Sequence, residues 1–260
     1  MENLILGLAA GYHFGDVRPF LASLVEIGFA GRCVLFVTPS TRGLDEMRAA
    51  GAEVVEFERE GDIAHLSYNA YRYFLYLDYL RQHGPFGRVL LTDVRDVIFQ
   101  AEPFSFSWGA GVNATLEDRR MTIGSCPYVR RWISGHLGES SWEALRGRPI
   151  SCSGTTLADY DAMVDYLERL TALLTPYEPE RERMAGYDQG VHNHLIHNGL
   201  LPRVTLHDNA GPILTLAYRQ GDPLLDGDGL ILNDAGFPAV MVHQYDRKPA
   251  LFKLLRARYA

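Results

Sequence analysis

The chain is short of cysteine. Cys33, Cys126 and Cys152 are its only three, an odd number with no C-x-x-C pair, which argues against a disulfide framework and a structural zinc site. All three read as reduced thiols. Long apolar runs are missing as well: no stretch approaches the roughly 18 residues of a membrane-spanning helix. The N-terminal LILGLAA has no basic lead and reads as a first strand rather than a signal segment. There is no excess of positive charge. The formal charge of -7 disfavours a sequence-independent grip on nucleic acid. Repeats, low-complexity tracts and flexible linkers are absent too, so one domain over residues 1–260 is expected, soluble and cytoplasmic.

What is present suits an α/β core. Hydrophobic residues make up 47% of the chain and charged ones 22%, enough to bury a sizeable interior. Strand and helix alternate through residues 1–100. LILGL at 4–8 reads as a strand, and GDVRPFLASLVEIG as a helix with Asp16 at its N-cap, Val17, Phe20, Leu21, Leu24 and Val25 at helical spacing, and Gly28 as its stop. RCVLFV, a short helix over 43–50, AEVVEF, a long helix across HLSYNAYRYFLYLDYLRQHG and the strand RVLLT follow. In the long helix Leu66, Ala70, Tyr73, Phe74, Leu77 and Leu80 share one face. This order predicts a Rossmann-like, mainly parallel sheet flanked by helices, which binds ligands at the carboxyl ends of its strands.

Residues 101–246 predict a mixed, partly antiparallel part. GVNATLED reads as a strand and 129–148 as short helices around Trp132 and Trp142. SCSGTTL reads as a short strand with a glycine turn, followed by a helix that a T-x-x-D box at Thr156 and Asp159 would cap. GYDQGVHNHLIHNG reads as a glycine-started helix, and RVTLH, ILTLA, GLILN and AVMVHQ as strands.

RVLLT runs straight into Asp93, and Asp96 follows three positions on. Paired carboxylates at a strand end suit a hard divalent cation such as Mg or Mn. Alternatively, Asp93 caps the next turn and Asp96 pairs with Arg95. His243, after the apolar AVMV, fits either a ligand or a core histidine. Arg72 borders the apolar face of its helix and fits an ordinary ion pair equally well. Asp188 is also a natural N-cap. His192, His194 and His197 look like a metal cluster, yet no carboxylate is locked to them.

Laid end to end, LAAGYHF, NAYRYF, LLTDVRD, SCSGTTL, GYDQGVHN and HQYDRKP resemble, in order, the motifs of the GT-A nucleotide-diphospho-sugar transferases, and among them the glycogenin-like family 8 glycosyltransferases. The resemblance covers residues 5 to 250 or so. It implies a GT-A fold whose half over 1–100 binds the nucleotide and whose half over 101–246 serves sugar and acceptor. It further implies transfer from a nucleotide sugar, a UDP-sugar foremost, to a glycan, lipid-linked or protein acceptor, with retention and with Mn or Mg. Asp93, Asp96 and His243 would hold the metal. Tyr12 would lie against the base and Arg72 near the phosphates, where Arg95, outside the family's pattern, could itself supply positive charge to the donor, and Gly154 would admit the sugar. Asp188 and Gln189 would line the sugar and acceptor side, and Lys248 would bind the diphosphate. Two departures stand out: Arg95 falls where the family has its second acid, and the terminal motif lacks its glycine.

A nucleotidyltransferase would want a basic, glycine-rich loop after the first strand, where GYHFGD stands with Arg18 as the nearest cation. A non-catalytic nucleotide-sugar-binding protein would share the whole pattern. The tail over 247–260 carries five cations and no acid. With Leu251, Phe252, Leu254 and Leu255 among them, it suits an interfacial helix at an anionic membrane or a helix docked on the acidic body.

Overall fold

A computed structural model describes residues 1–177 and 184–260. The first strands are β1 (Leu4–Leu8), β2 (Arg32–Val37), β3 (Glu53–Glu56) and β4 (Arg88–Thr92), with β5 (Val97–Phe99) directly beyond the acid pair. Between them lie α1 (Phe14–Glu26), α2 (Leu44–Ala49) and α3 (Tyr68–His83). The second part contains β6 (Val112–Leu116), α4 (Pro127–Leu137), α5 (Glu139–Leu145), β7 (Ser151–Asp159), α6 (Tyr160–Leu174) and α7 (Tyr187–His197). It closes with β8 (Val204–His207), β9 (Ile213–Thr215), β10 (Met241–His243) and α8 (Pro249–Arg258).

The fold is α/β. A seven-stranded sheet runs β3-β2-β1-β4-β7-β6-β8, and a second sheet of three runs β5-β10-β9. Within the large sheet β1, β2, β3 and β4 pair in parallel, β6 and β8 likewise, and β7 lies antiparallel between the two groups. Strands covered on both faces need apolar residues at every position. Leu4 and Leu6, Val34 and Phe36, Val89 and Leu91 accordingly face α3, α6 and α7. Their neighbours Ile5, Cys33, Leu35 and Leu90 face α1. The small sheet packs Phe99, Ile213 and Met241 into that second core and gives its other face, Ile98, Leu214 and Val242, to α8.

Four local expectations give way to the tertiary structure. Helix α1 starts before Asp16: His13 is the N-cap, and the Asp16 carboxylate accepts from the His13 N–H at 3.1 Å. Thr156 opens no helix. It lies inside the nine-residue strand β7, and Asp159 itself stands at the N-cap of α6, but its carboxylate is taken by the Gly111 N–H at 2.8 Å and by Arg88 and makes no cap bond. Gly154 makes no turn: it lies inside β7, where the pairing with β6 skips Ser153–Thr155 in an irregularity of the ladder. GLILN forms isolated bridges at Ile231 and Leu232 rather than a strand. For Thr156, Asp159 and Gly154, pairing of β7 to strands distant in sequence outweighs a weak local signal.

The basic tail is a helix docked on α1. Leu251 and Leu255 are buried, each worth about 1.5–3 kcal/mol of apolar transfer. Arg256 donates to the Gly15 carbonyl, and Arg258 pairs with Glu26 at 2.7 Å. No helix among the described residues is long and apolar enough to cross a membrane.

Candidate functional site

The site is assembled where the two sheets meet. Strand β4 ends at Thr92, so Asp93 is the first residue beyond the carboxyl edge. It is fixed across to β7 by its N–H, which donates to the Gly154 carbonyl at 2.8 Å. Gly7 on β1 leaves room for the turn that follows: a Cβ there would sit 2.2 Å from Val94. The chain then re-enters as β5, whose Val97 pairs antiparallel with His243 of β10. Asp96, one residue earlier, is thereby set beside an imidazole nearly 150 residues away in sequence. Ligand atoms of Asp93, Asp96 and His243 lie within 4.8 Å of one another. His243 Nε2 is 3.4 Å from Asp93 Oδ2 and 3.8 Å from Asp96 Oδ1.

Three oxygen and nitrogen donors at this spacing fit a divalent cation of the Mn or Mg kind. A further observation supports the fit. The His243 side chain is 1% exposed, yet its Nε2 makes no hydrogen bond. A buried imidazole nitrogen without a hydrogen bond is costly, and this one has only the ion-pair contacts to the two carboxylates. The other nitrogen, Nδ1, is 3.6 Å from Cys152 Sγ, which holds the ring by its far side, as the outer partners of ligating histidines do. Glu117, 2% exposed, backs Cys152, and burial raises its pKa while Cys152, Thr215 and Gln244 moderate the rise. Gly154 matters for space: a Cβ there would lie 2.5 Å from His243 Cε1 and 2.7 Å from Asp93 Oδ2. Any larger residue would fill the gap between the donors.

Charges around the cluster are strongly coupled. Burial opposes ionisation of Asp93, but Arg72 and His243 outweigh it and hold the carboxyl well below its usual range. Asp96 goes the other way, pushed up to about 6 by burial and by the charges of Asp93 and Asp246, against the pull of His243. Burial works against a charge on His243, yet Cys152, Asp93 and Asp96 lift its pKa well above the imidazole norm.

Arg72, from the middle of α3, is the pivot. It is 7% exposed, bonds Asp93 directly, lies 3.6 Å from Asp188 and donates to Tyr73 Oη at 3.1 Å. Ser153 Oγ donates to Asp188 at 3.3 Å. Asp188, on the first turn of α7 with Gly186 as N-cap, is 2% exposed, and burial, tempered by Arg72, pushes it up to about 6. It stands behind Arg72 as a support instead of capping the helix.

A polar pocket of about 320 Å³ opens above the acids. Tyr12, Arg72, Arg95, Asp93 and Asp96 line it, so five of the residues singled out from sequence come together here. The other five, Gly154, Asp188, Gln189, His243 and Lys248, do not line it. Gln189 is half-buried on α7, and Lys248 Nζ donates to the Arg219 carbonyl. Asp246 and Arg247 occupy the rim instead. Sequence reasoning also missed Tyr73, Glu117, Cys152 and Ser153. Cys152 and Ser153 had one legible signal, since they flank Gly154.

The histidines of α7 do other work. His192 is fully buried between Ser151 Oγ at 2.8 Å and Tyr166 Oη at 2.7 Å, and burial pushes its pKa down to about 3. His194 bonds Asn198 at 3.0 Å and His197 the Pro149 carbonyl at 2.9 Å. All three cysteines are buried and free. No protein-family model matches the chain, and no curated protein is significantly similar to it.

Proposed function

We propose that the protein is a glycosyltransferase of the GT-A kind, moving a sugar from a nucleoside diphosphate sugar to an acceptor hydroxyl. The observation that carries this reading is the convergence of Asp93, Asp96 and the buried His243 Nε2, which makes no hydrogen bond, at the carboxyl end of β4 beside a polar pocket that both acids line. That edge is where a parallel α/β sheet takes its ligands. Asp93, Asp96 and His243 would hold Mn or Mg, which when bound neutralises charge on a departing diphosphate.

The chain's own groups supply the rest. Arg72 keeps Asp93 ionised, so that one ligand carries full charge at neutral pH. Asp188 and Tyr73 hold Arg72 in place and Ser153 donates to Asp188, a buried arrangement in which each charge has its partner. Tyr12 offers its ring as a wall for the nucleotide base. The ordered motifs favour a UDP-sugar and retention of configuration; the acceptor is a glycan, lipid-linked or protein hydroxyl.

Calorimetric titration of UDP into the purified protein, with Mn and then with EDTA, tests the reading. Tight binding in Mn, lost in EDTA and in Asp93→Ala, is the expected result, followed by turnover when UDP-sugars are screened with acceptors. Metal-dependent binding without any turnover would instead mark a nucleotide-sugar-binding protein. Equal binding in EDTA would remove the metal and leave the arginines as the only cations of the site.

A further inference from the structure

Lysine occurs only twice in this chain, at 248 and 253, against 25 basic residues in all. The sequence places Lys248 at the position where a diphosphate-binding cation is expected, yet its Nζ is spent on the Arg219 carbonyl. The preceding residue is better placed. Gln244 adopts the left-handed conformation (φ 63°, ψ 36°) immediately after His243, an uncommon backbone for a residue with a side chain. That bend starts a 3-10 turn, Tyr245–Arg247, which brings Asp246 and Arg247 onto the pocket while Lys248 becomes the N-cap of α8.

The same turn is stitched to the acid turn. Gln244 and Tyr245 N–H groups donate to the Asp96 carbonyl at 2.8 and 3.3 Å. Tyr245, 0% exposed, donates its hydroxyl to the Arg95 carbonyl at 2.8 Å, across 150 positions of sequence. Arg95 is exposed and lines the pocket too. Arg247 is 62% exposed and lies 3.6 Å from Asp246, a loose contact that leaves its guanidinium able to fork onto a ligand. Two arginines are therefore carried on turns fastened to each other, around carboxylates that would repel a bare polyanion.

We propose that Arg247 and Arg95, rather than Lys248, form the diphosphate-binding pair of this pocket and take the pyrophosphate group of a metal-complexed nucleotide. The identity of the nucleotide rests on the glycosyltransferase reading; the phosphate contact does not. Planar guanidinium groups match phosphate oxygens with two parallel hydrogen bonds, which a lysine cannot do.

The test is calorimetric titration of Mn with inorganic pyrophosphate, and of Mn with UDP, into the intact protein. Arg247→Ala and Arg95→Ala should each weaken both ligands about tenfold, the scale of one charge-assisted hydrogen bond. Arg247→Lys should recover only part of the loss, because the charge returns without the fork. Lys253→Ala, which removes the same charge from the exposed side of α8, should stay within about twofold of wild type, as expected of a screened distant charge. Tyr245→Phe should weaken pyrophosphate while leaving the affinity for Mn alone unchanged. Unaltered affinity in Arg247→Ala, or a larger loss in Lys248→Ala, overturns the assignment and leaves the glycosyltransferase reading standing. Failure of wild type to bind either ligand overturns both. Arg247-dependent pyrophosphate binding with no turnover of any UDP-sugar sinks the glycosyltransferase reading alone.

Discussion

Two buried histidines, His192 and His243, sit on either side of β7 in opposite electrostatic states. Each is at most 1% exposed. His192 has a neutral hydroxyl on both nitrogens, and burial keeps it uncharged with a pKa near 3. His243 has a thiol on one side and, on the other, two carboxylates with which its Nε2 forms no hydrogen bond; its pKa rises. Burial is common to both, so it cannot distinguish a structural from a functional histidine. The charge and alignment of the partners do. A satisfied ring ties elements together, whereas an unsatisfied ring among acids leaves room for a cation.

The largest break in this contrast should come from space, not charge. Gly154→Ala puts a Cβ between Asp93 and His243, and we expect at least a hundredfold loss of Mn affinity by electron paramagnetic resonance titration, a scale set by removal of a whole ligand position. His243→Asn should cost about a hundredfold in the same titration, with little shift in the urea midpoint. His192→Asn should behave in reverse. It forfeits two buried hydrogen bonds, about 2 kcal/mol in urea unfolding at pH 7, and leaves Mn affinity as in wild type.

The pH dependence sharpens the same comparison. The folded pKa of His192 is depressed to about 3, below the roughly 6.5 of an unfolded chain. Below 6.5 the unfolded state binds a proton that the folded state refuses, so the stabilisation supplied by neutral His192 is whole above that pH and drains away towards 3. Asparagine does not titrate. The advantage of wild type over His192→Asn should therefore shrink by about 2.5 kcal/mol between pH 7 and pH 4.5, and a constant gap would show that His192 takes up its proton in the fold at the same pH as in the unfolded chain. The smallest effect concerns the support behind His243. Cys152→Val should lower Mn affinity about tenfold, the usual cost of losing an outer partner of a ligating histidine, and Cys152→Ser, which keeps an acceptor, by less.

Much of the fold could be read from residue order. Strands β1, β2 and β4 are continuous apolar runs, and α1, α3 and α6 carry apolar faces at helical spacing, because burial on two faces or on one stripe leaves a periodic trace. The place of Asp93 was legible because it directly follows the buried apolar run of β4. Signals of one or two residues fared worse. Thr156 and Asp159 look like a capping box, but β7 had β4 and β6 to pair with on either side, and a full ladder outweighs one cap. Lys248 matched a motif position, and in the structure, after the left-handed turn at Gln244, its Nζ donates to the Arg219 carbonyl while Arg247 lines the pocket. No periodicity encodes such a turn.

By itself, then, the sequence determined the alternation of strands and helices, the two apolar faces of the sheet and the place of Asp93 at its carboxyl edge, since local spacing and burial are written in adjacent residues. Only the tertiary structure decided that β7 runs antiparallel through Gly154, that Val97 pairs with His243 and so sets Asp96 beside it, and that Cys152, Asp188 and Arg247 support or border the cluster. Those contacts join residues far apart in the chain, and their geometry is fixed by packing and hydrogen bonding between elements rather than by any pattern within one.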